Sequence, residues 1–246
     1  MERTNRSRAG NLGAKSSAGG LDITPAEAKY WWSWFIFGSI MTVETRHHLR
    51  RSWGFCARHT WQHAMVEIEA WGGRPFGTAI LYEDLCGRAA RAVGARLKPA
   101  PLRLRRLRPR AVCLACDYLQ IAQTVAEPSH LERCARVNRR ERTTRLLAEL
   151  QPLWRERTCP QCLGGKGIVC RMHLLESAGP LGRSLLSQLE RLRQRLELFV
   201  RSMTWRGPVV GADVQVSWLE VLGWFAGWNF PAALASETAS TTSRRS

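Results

Sequence analysis

The residues of this chain best suited to chemistry are its eight cysteines and six histidines. Cys113-Leu-Ala-Cys116 and Cys159-Pro-Gln-Cys162 are C-x-x-C pairs, and Cys170-Arg-Met-His173 is a C-x-x-H pair. A C-x-x-C pair delivers two thiolates from one turn, and a structural zinc site asks for four Cys or His donors in a tetrahedron. His130 and Cys134 stand four positions apart and so share one helical face. Together Cys113, Cys116, Cys159, Cys162, Cys170, His173, His130 and Cys134 make eight expected ligands, enough for one or two zinc ions with three sulfurs and one nitrogen each.

These donors divide in two ways. In a local division, Cys113, Cys116, His130 and Cys134 hold one ion, and Cys159, Cys162, Cys170 and His173 hold the other. In a repeat division, Cys113 and Cys116 join Cys170 and His173, leaving Cys159 and Cys162 to meet His130 and Cys134. The repeat division is preferred because the chain reads as a duplication. GFCARHTW beside GIVCRMHLL shows Gly, apolar residues, C-x-x-H and apolar residues again. Cys113 and Cys116 then open a second half where Thr24-Pro-Ala-Glu27 opens the first. Glu27 to Cys56 spans 29 positions and Cys116 to Cys170 spans 54, so the second half carries 54 − 29 = 25 more. RERTCPQCLGGKG lies in that excess, and its glycines suit a mobile loop able to fold back towards His130 and Cys134. Cys56 and His59 alone cannot fill a tetrahedron. Glu27 as a third ligand, and a weak pair of His59 with His63, are secondary hypotheses; His47, His48 and His63 read as solvated or hydrogen-bonded.

The motifs GFCARHTW, AILYEDL, CLAC, CRMH, SMTWRGP and SWLEVLGWFAGW resemble those of an uncharacterised bacterial domain-of-unknown-function family. Its members have two helical halves, each opening with a C-P-x-C-like pair and closing with a G-F/L-C-x-x-H motif. The resemblance covers residues 21–230. It implies a helical fold and metal binding, and it supplies no activity and no catalytic residues. The chain departs from the pattern at Thr24 and Glu27, where the family has its first cysteine pair.

The elements that must position these groups read as all-α, in duplicated helical halves with zinc-knuckle-like loops in the second. Thr24 as N-cap, Pro25 in the first turn and Glu27 three residues on form a capping box, predicting a helix from Thr24 to about His48. Further helices are predicted over 56–71, 78–97, 113–127, 129–150, 181–203 and 217–228, with Cys86 as a small buried residue. Leu185, Leu189, Leu192, Leu196 and Phe199 recur by fours and threes and mark a core-facing stripe. Trp218, Val221, Leu222, Phe225 and Trp228 mark another. Residues 1–20 are expected as a disordered basic tail, 21–98 as the first half with a degenerate metal motif, and 99–112 as a Pro/Arg-rich linker. Residues 113–232 are expected as the second half with the metal sites, and 233–246 as a disordered tail.

The net charge of +17 and sequence pI near 10.8 favour polyanionic partners. Residues 88–110 hold nine basic side chains and no acid, a segment able to contact nucleic-acid phosphates without reading sequence. The apolar run 30–43 is 14 residues, short of the roughly 20 a membrane-spanning helix needs, so a buried helix is expected. The N-terminus carries no apolar signal region. A cytoplasmic location follows as the expectation, and in that reducing compartment clustered cysteines read as metal ligands rather than disulfides. No HExxH, phosphate-binding loop or GxSxG occurs. The expectation is a non-enzymatic zinc-binding interaction or scaffold protein, with a protein as partner. A nucleic-acid-binding regulator and a thiol redox sensor are the alternatives.

Overall fold

The structure, a computed structural model, describes residues 22–71, 73–95, 99–121, 127–177 and 181–234. The predicted tails at 1–20 and beyond 234, and the predicted helical stretches at 96–97 and 122–126, lie outside the described residues. Among the described residues every regular element is a helix. The first half contributes α1 (Pro25–Lys29), a π-helical segment (Tyr30–Ser39), α2 (Val43–Ser52), α3 (Ala57–Trp71) and α4 (Phe76–Gly94). Then come α5 (Ala100–Arg106), α6 (Leu114–Ile121), α7 (Pro128–Arg139) and α8 (Glu141–Trp154). They are followed by α9 (Pro160–Leu163), α10 (Arg171–Glu176), α11 (Arg183–Ser202), α12 (Ala212–Gln215) and α13 (Ser217–Ala226).

The predicted first helix is really three segments. The Thr24 capping box starts α1 as its residue types require, with Thr24 Oγ1 accepting from the Glu27 N–H and Glu27 Oε2 accepting from the Thr24 N–H. The aromatic run YWWSWFIFGS then widens into a π-helix. Thr42 restarts the chain as the N-cap of α2, accepting from the Thr45 N–H while donating to the Ser39 carbonyl. The predicted linker contains α5, because Pro99 and Pro101 sit at its cap and first turn, where a missing N–H costs nothing. The predicted helix over 129–150 divides at Arg140, whose φ of 56° is left-handed. Glu69 of α3 caps the new start, accepting from the Thr143 N–H and hydroxyl at 2.7 Å each.

The core forms where α11 lies on α4, with α13 packed on α3, α4, α10 and α11. Leu185, Leu189, Leu192, Leu196 and Phe199 are all buried, each stabilising the packing by roughly 1.5–3 kcal/mol relative to exposure. Cys86 is buried against this helix, its thiol donating to the Leu189 carbonyl. On the other side, α7 and α8 pack on α3, and α6 packs on α1, α2 and the π-helical segment. That last packing carries residues 113–116 into the layer of the first half. No helix among the described residues is long and apolar enough to cross a membrane.

Candidate metal centres

Two four-donor groups stand out. Cys56, His59, Cys113 and Cys116 form one, and Cys159, Cys162, Cys170 and His173 form the other; within each, all donor atoms lie within 4.8 Å of one another. In the first, His59 Nδ1 is 3.3 Å from Cys56 Sγ, 3.5 Å from Cys113 Sγ and 3.3 Å from Cys116 Sγ, and Cys56 Sγ is 4.0 Å from Cys116 Sγ. In the second, His173 Nδ1 is 3.6, 3.5 and 3.3 Å from the sulfurs of Cys159, Cys162 and Cys170, and Cys162 Sγ is 3.7 Å from Cys170 Sγ. Tetrahedral zinc with sulfur at about 2.3 Å and nitrogen at about 2.0 Å separates sulfurs by about 3.8 Å and sulfur from nitrogen by about 3.5 Å. Both groups therefore have the size and donor chemistry of a closed Cys3His site.

The local sequence explains each placement. In both groups the C-x-x-H pair straddles a helix start: Cys56 precedes α3, and Cys170 is the N-cap of α10. The C-x-x-C pairs do the same, with Cys113 just before α6 and Cys159 the N-cap of α9. A helix's first turn thus aims both donors of a pair at one point. Cys56 reaches its site through a turn at Trp53 and Gly54 with positive φ at both. Any β-carbon on Gly54 would collide with the Tyr82 hydroxyl, which itself accepts from the Phe55 N–H. In the second group, Gly165 and Gly167 lie directly on the backbone of Arg157 and Thr158, where a side chain would not fit. Hydrogen bonds from Lys166 N–H to the Glu156 carbonyl and from Gly167 N–H to the Thr158 carbonyl close that loop.

Crowding four donors divides their protons unevenly. A hydrogen bond from Cys56 pulls the Cys113 thiol down to about 3, and Cys56 is pushed well above the usual thiol value by that bond and by burial. Burial, with the adjacent Cys113 charge, raises Cys116 to about 11. In the second group the bond from Cys170 lowers Cys162 to about 5, and Cys170 rises. Each group gathers negative charge that a cation would stabilise while displacing the remaining protons. Behind the first group, His59 Nε2 stands 3.2 Å from Glu27 Oε1. Burial would raise Glu27, but His59, the Thr24 N–H and Arg58 together hold it at about 2.

The second group is the one the local division expected, whereas the first matches neither division. Cys113 and Cys116 meet Cys56 and His59, not Cys170 and His173, because α6 packs on the first-half helices. Cys159 and Cys162 stay with Cys170 and His173, because the glycine loop is a fixed tight turn and not a mobile arm. The structure brings His130 and Cys134 to neither group. His130 is buried with Nε2 against Ser33 Oγ at 2.8 Å, and its Nδ1 accepts from the Glu127 N–H. The Cys134 thiol donates to the Ile23 carbonyl at 2.9 Å. Both residues dock the first-half helices and the segment before Thr24 on α7. Glu27 contacts the far side of the His59 ring and adds no donor to the sulfur cluster. His63 turns from His59 towards Thr78 Oγ1 and stacks on Trp31, His48 Nε2 pairs with the Val112 carbonyl, and His47 is exposed. No protein-family model, no curated protein and no solved structure matches the chain.

Proposed function

We propose that the chain is a zinc-stabilised helical scaffold that binds a partner without catalysing a reaction. One observation carries this reading: two separate groups each supply three sulfurs and one imidazole nitrogen at tetrahedral spacing. Soft thiolate donors with imidazole select zinc over magnesium or calcium. Four protein donors leave no position for substrate or water, which is the mark of a structural rather than a catalytic site. The ions would staple helix starts at the edge of the hydrophobic core, where Cys159 and Cys170 are buried and Cys113 and Cys162 pack against it. The motif resemblance to the uncharacterised helical family is in keeping with this reading.

Metal analysis of the native protein tests it. Two zinc ions per chain are expected, falling to one in Cys113→Ser/Cys116→Ser and to one in Cys159→Ser/Cys162→Ser. His130→Ala and Cys134→Ala are expected to keep both ions. A strong chelator should lower the melting temperature, since metal-binding free energy in such sites is folding free energy. Protein purified without metal, and indifferent to chelator, would refute the proposal.

A further inference from the structure

Three helices and one short segment bring seven arginines around a single cleft of about 360 Å³. Arg50 and Arg51 come from the last turn of α2, and Arg88 and Arg91 from α4. Arg106 ends α5, and Arg108 and Arg110 follow it. No carboxylate lines the cleft. Among the described residues Arg50 is the one member in an ion pair, with Asp84 at 2.8 Å; the others have no carboxylate partner within salt-bridge distance. Helix C-termini offset part of the resulting repulsion, but they leave planar N–H forks free to bind. Arg88 lies over the Trp53 ring, 6.0 Å from its centroid, with its Nε buried and without a hydrogen-bond acceptor.

The cleft is held in shape by its own backbone. The Arg110 N–H donates to the Arg51 carbonyl at 2.8 Å, and the Trp53 indole N–H donates to the Arg106 carbonyl at 3.0 Å, so the two walls are fixed to each other. Guanidinium forks match phosphate oxygens bidentately, and a preformed site spends little on ordering its side of the contact. Trp53 is only 5% exposed, so it offers no face on which a base could stack. The volume falls within the roughly 300–1,000 Å³ of small-ligand sites.

We infer that this cleft is an anion site for closely linked phosphates, such as the triphosphate chain of a nucleotide or inorganic tripolyphosphate, bound through phosphate alone. The inference does not rest on metal at either cysteine group. Titration calorimetry of the full-length, metal-loaded protein with inorganic tripolyphosphate tests it, at about 50 mM salt where phosphate contacts count strongly. Binding is expected at one site per chain. ATP should bind comparably, and orthophosphate much more weakly. The exposed triple variant Arg106→Ala/Arg108→Ala/Arg110→Ala should weaken tripolyphosphate at least tenfold with an unchanged melting temperature. The triple variant Arg183→Ala/Arg191→Ala/Arg201→Ala on α11 removes the same charge elsewhere and should bind normally. Equal losses in both variants would reduce the effect to net charge and overturn the inference. So would absence of tripolyphosphate binding, or binding of a duplex or single-stranded oligonucleotide that tripolyphosphate does not displace.

Discussion

In the first candidate centre the imidazole of His59 is gripped from behind. Glu27 Oε1 faces His59 Nε2 at 3.2 Å, and Arg58 pairs with the same carboxylate at 3.0 Å. His173 in the second centre has no carboxylate partner among the described residues. A carboxylate behind a ligating histidine fixes its tautomer and raises its basicity, and losing one costs about 10–100-fold in metal affinity. Glu27→Gln is therefore expected to weaken zinc at the first centre by about that factor and to leave the second unchanged, read by competition with a chromophoric chelator. An equal effect at both centres would show that Glu27 acts through general stability instead. Glu27 was legible as a capping residue, and it is one; its second contact spans 32 positions and leaves no trace in local pattern. Cys56 and His59 were more legible than the motif reading allowed. Two C-x-x-C and two C-x-x-H motifs already sum to eight donors, and pairing one of each kind needs no help from His130 or Cys134. The i, i+4 spacing of that pair marks a shared helix face, which they use for packing.

At the scale of an element, α3 concentrates buried polar groups: His59, Thr60, Gln62, His63, Glu67 and Glu69 are all covered. Helical periodicity finds a stripe with a solvated opposite face, as it does for α11. It cannot rank the faces of a helix buried on most sides, nor say which carboxylates lie inside. Glu67 accepts from the Thr78 N–H and hydroxyl at 2.9 and 2.8 Å, yet burial still raises it to about 7. The sign follows from linkage. Between the ordinary carboxylate value and about 7 the folded state holds the proton that the unfolded state has lost, so stability declines as pH rises through that window. Glu67→Gln removes this dependence. Denaturant melts of the two proteins should give a wild-type minus variant difference that moves against wild type by about 3 kcal/mol between pH 4.5 and 8. A difference constant with pH would mean that Glu67 titrates normally. The π-helical segment was likewise only partly legible: its aromatic content dictates burial, while its packing partners, such as Tyr118 of α6 against Tyr30 and Trp34, come from far along the chain.

Over the whole molecule, the second centre is wired to the rest by Arg171, next to Cys170. Its buried guanidinium donates to the carbonyls of Leu107, just past α5, and Phe225, in α13. Burial lowers its pKa to about 10. Arg171→Leu should leave those carbonyls unpaired and lower unfolding free energy by about 1–3 kcal/mol, with zinc content per chain unchanged. Loss of one ion in that variant would show that the strut shapes the centre itself. The two centres also differ in how far along the chain their donors lie. Cys159 and His173 are 14 positions apart, whereas Cys56 and Cys116 are 60 apart. Closing the longer span costs about 1 kcal/mol more in chain entropy, and it waits until α6 has docked on the first-half helices. The second centre can close within a still-disordered chain. With metal bound at both groups, assembly is expected to run in order: a local knot first, then a long-range clasp. Refolding metal-free protein with cobalt(II) should show two absorbance phases. The faster should vanish in Cys159→Ser, and the slower in Cys113→Ser.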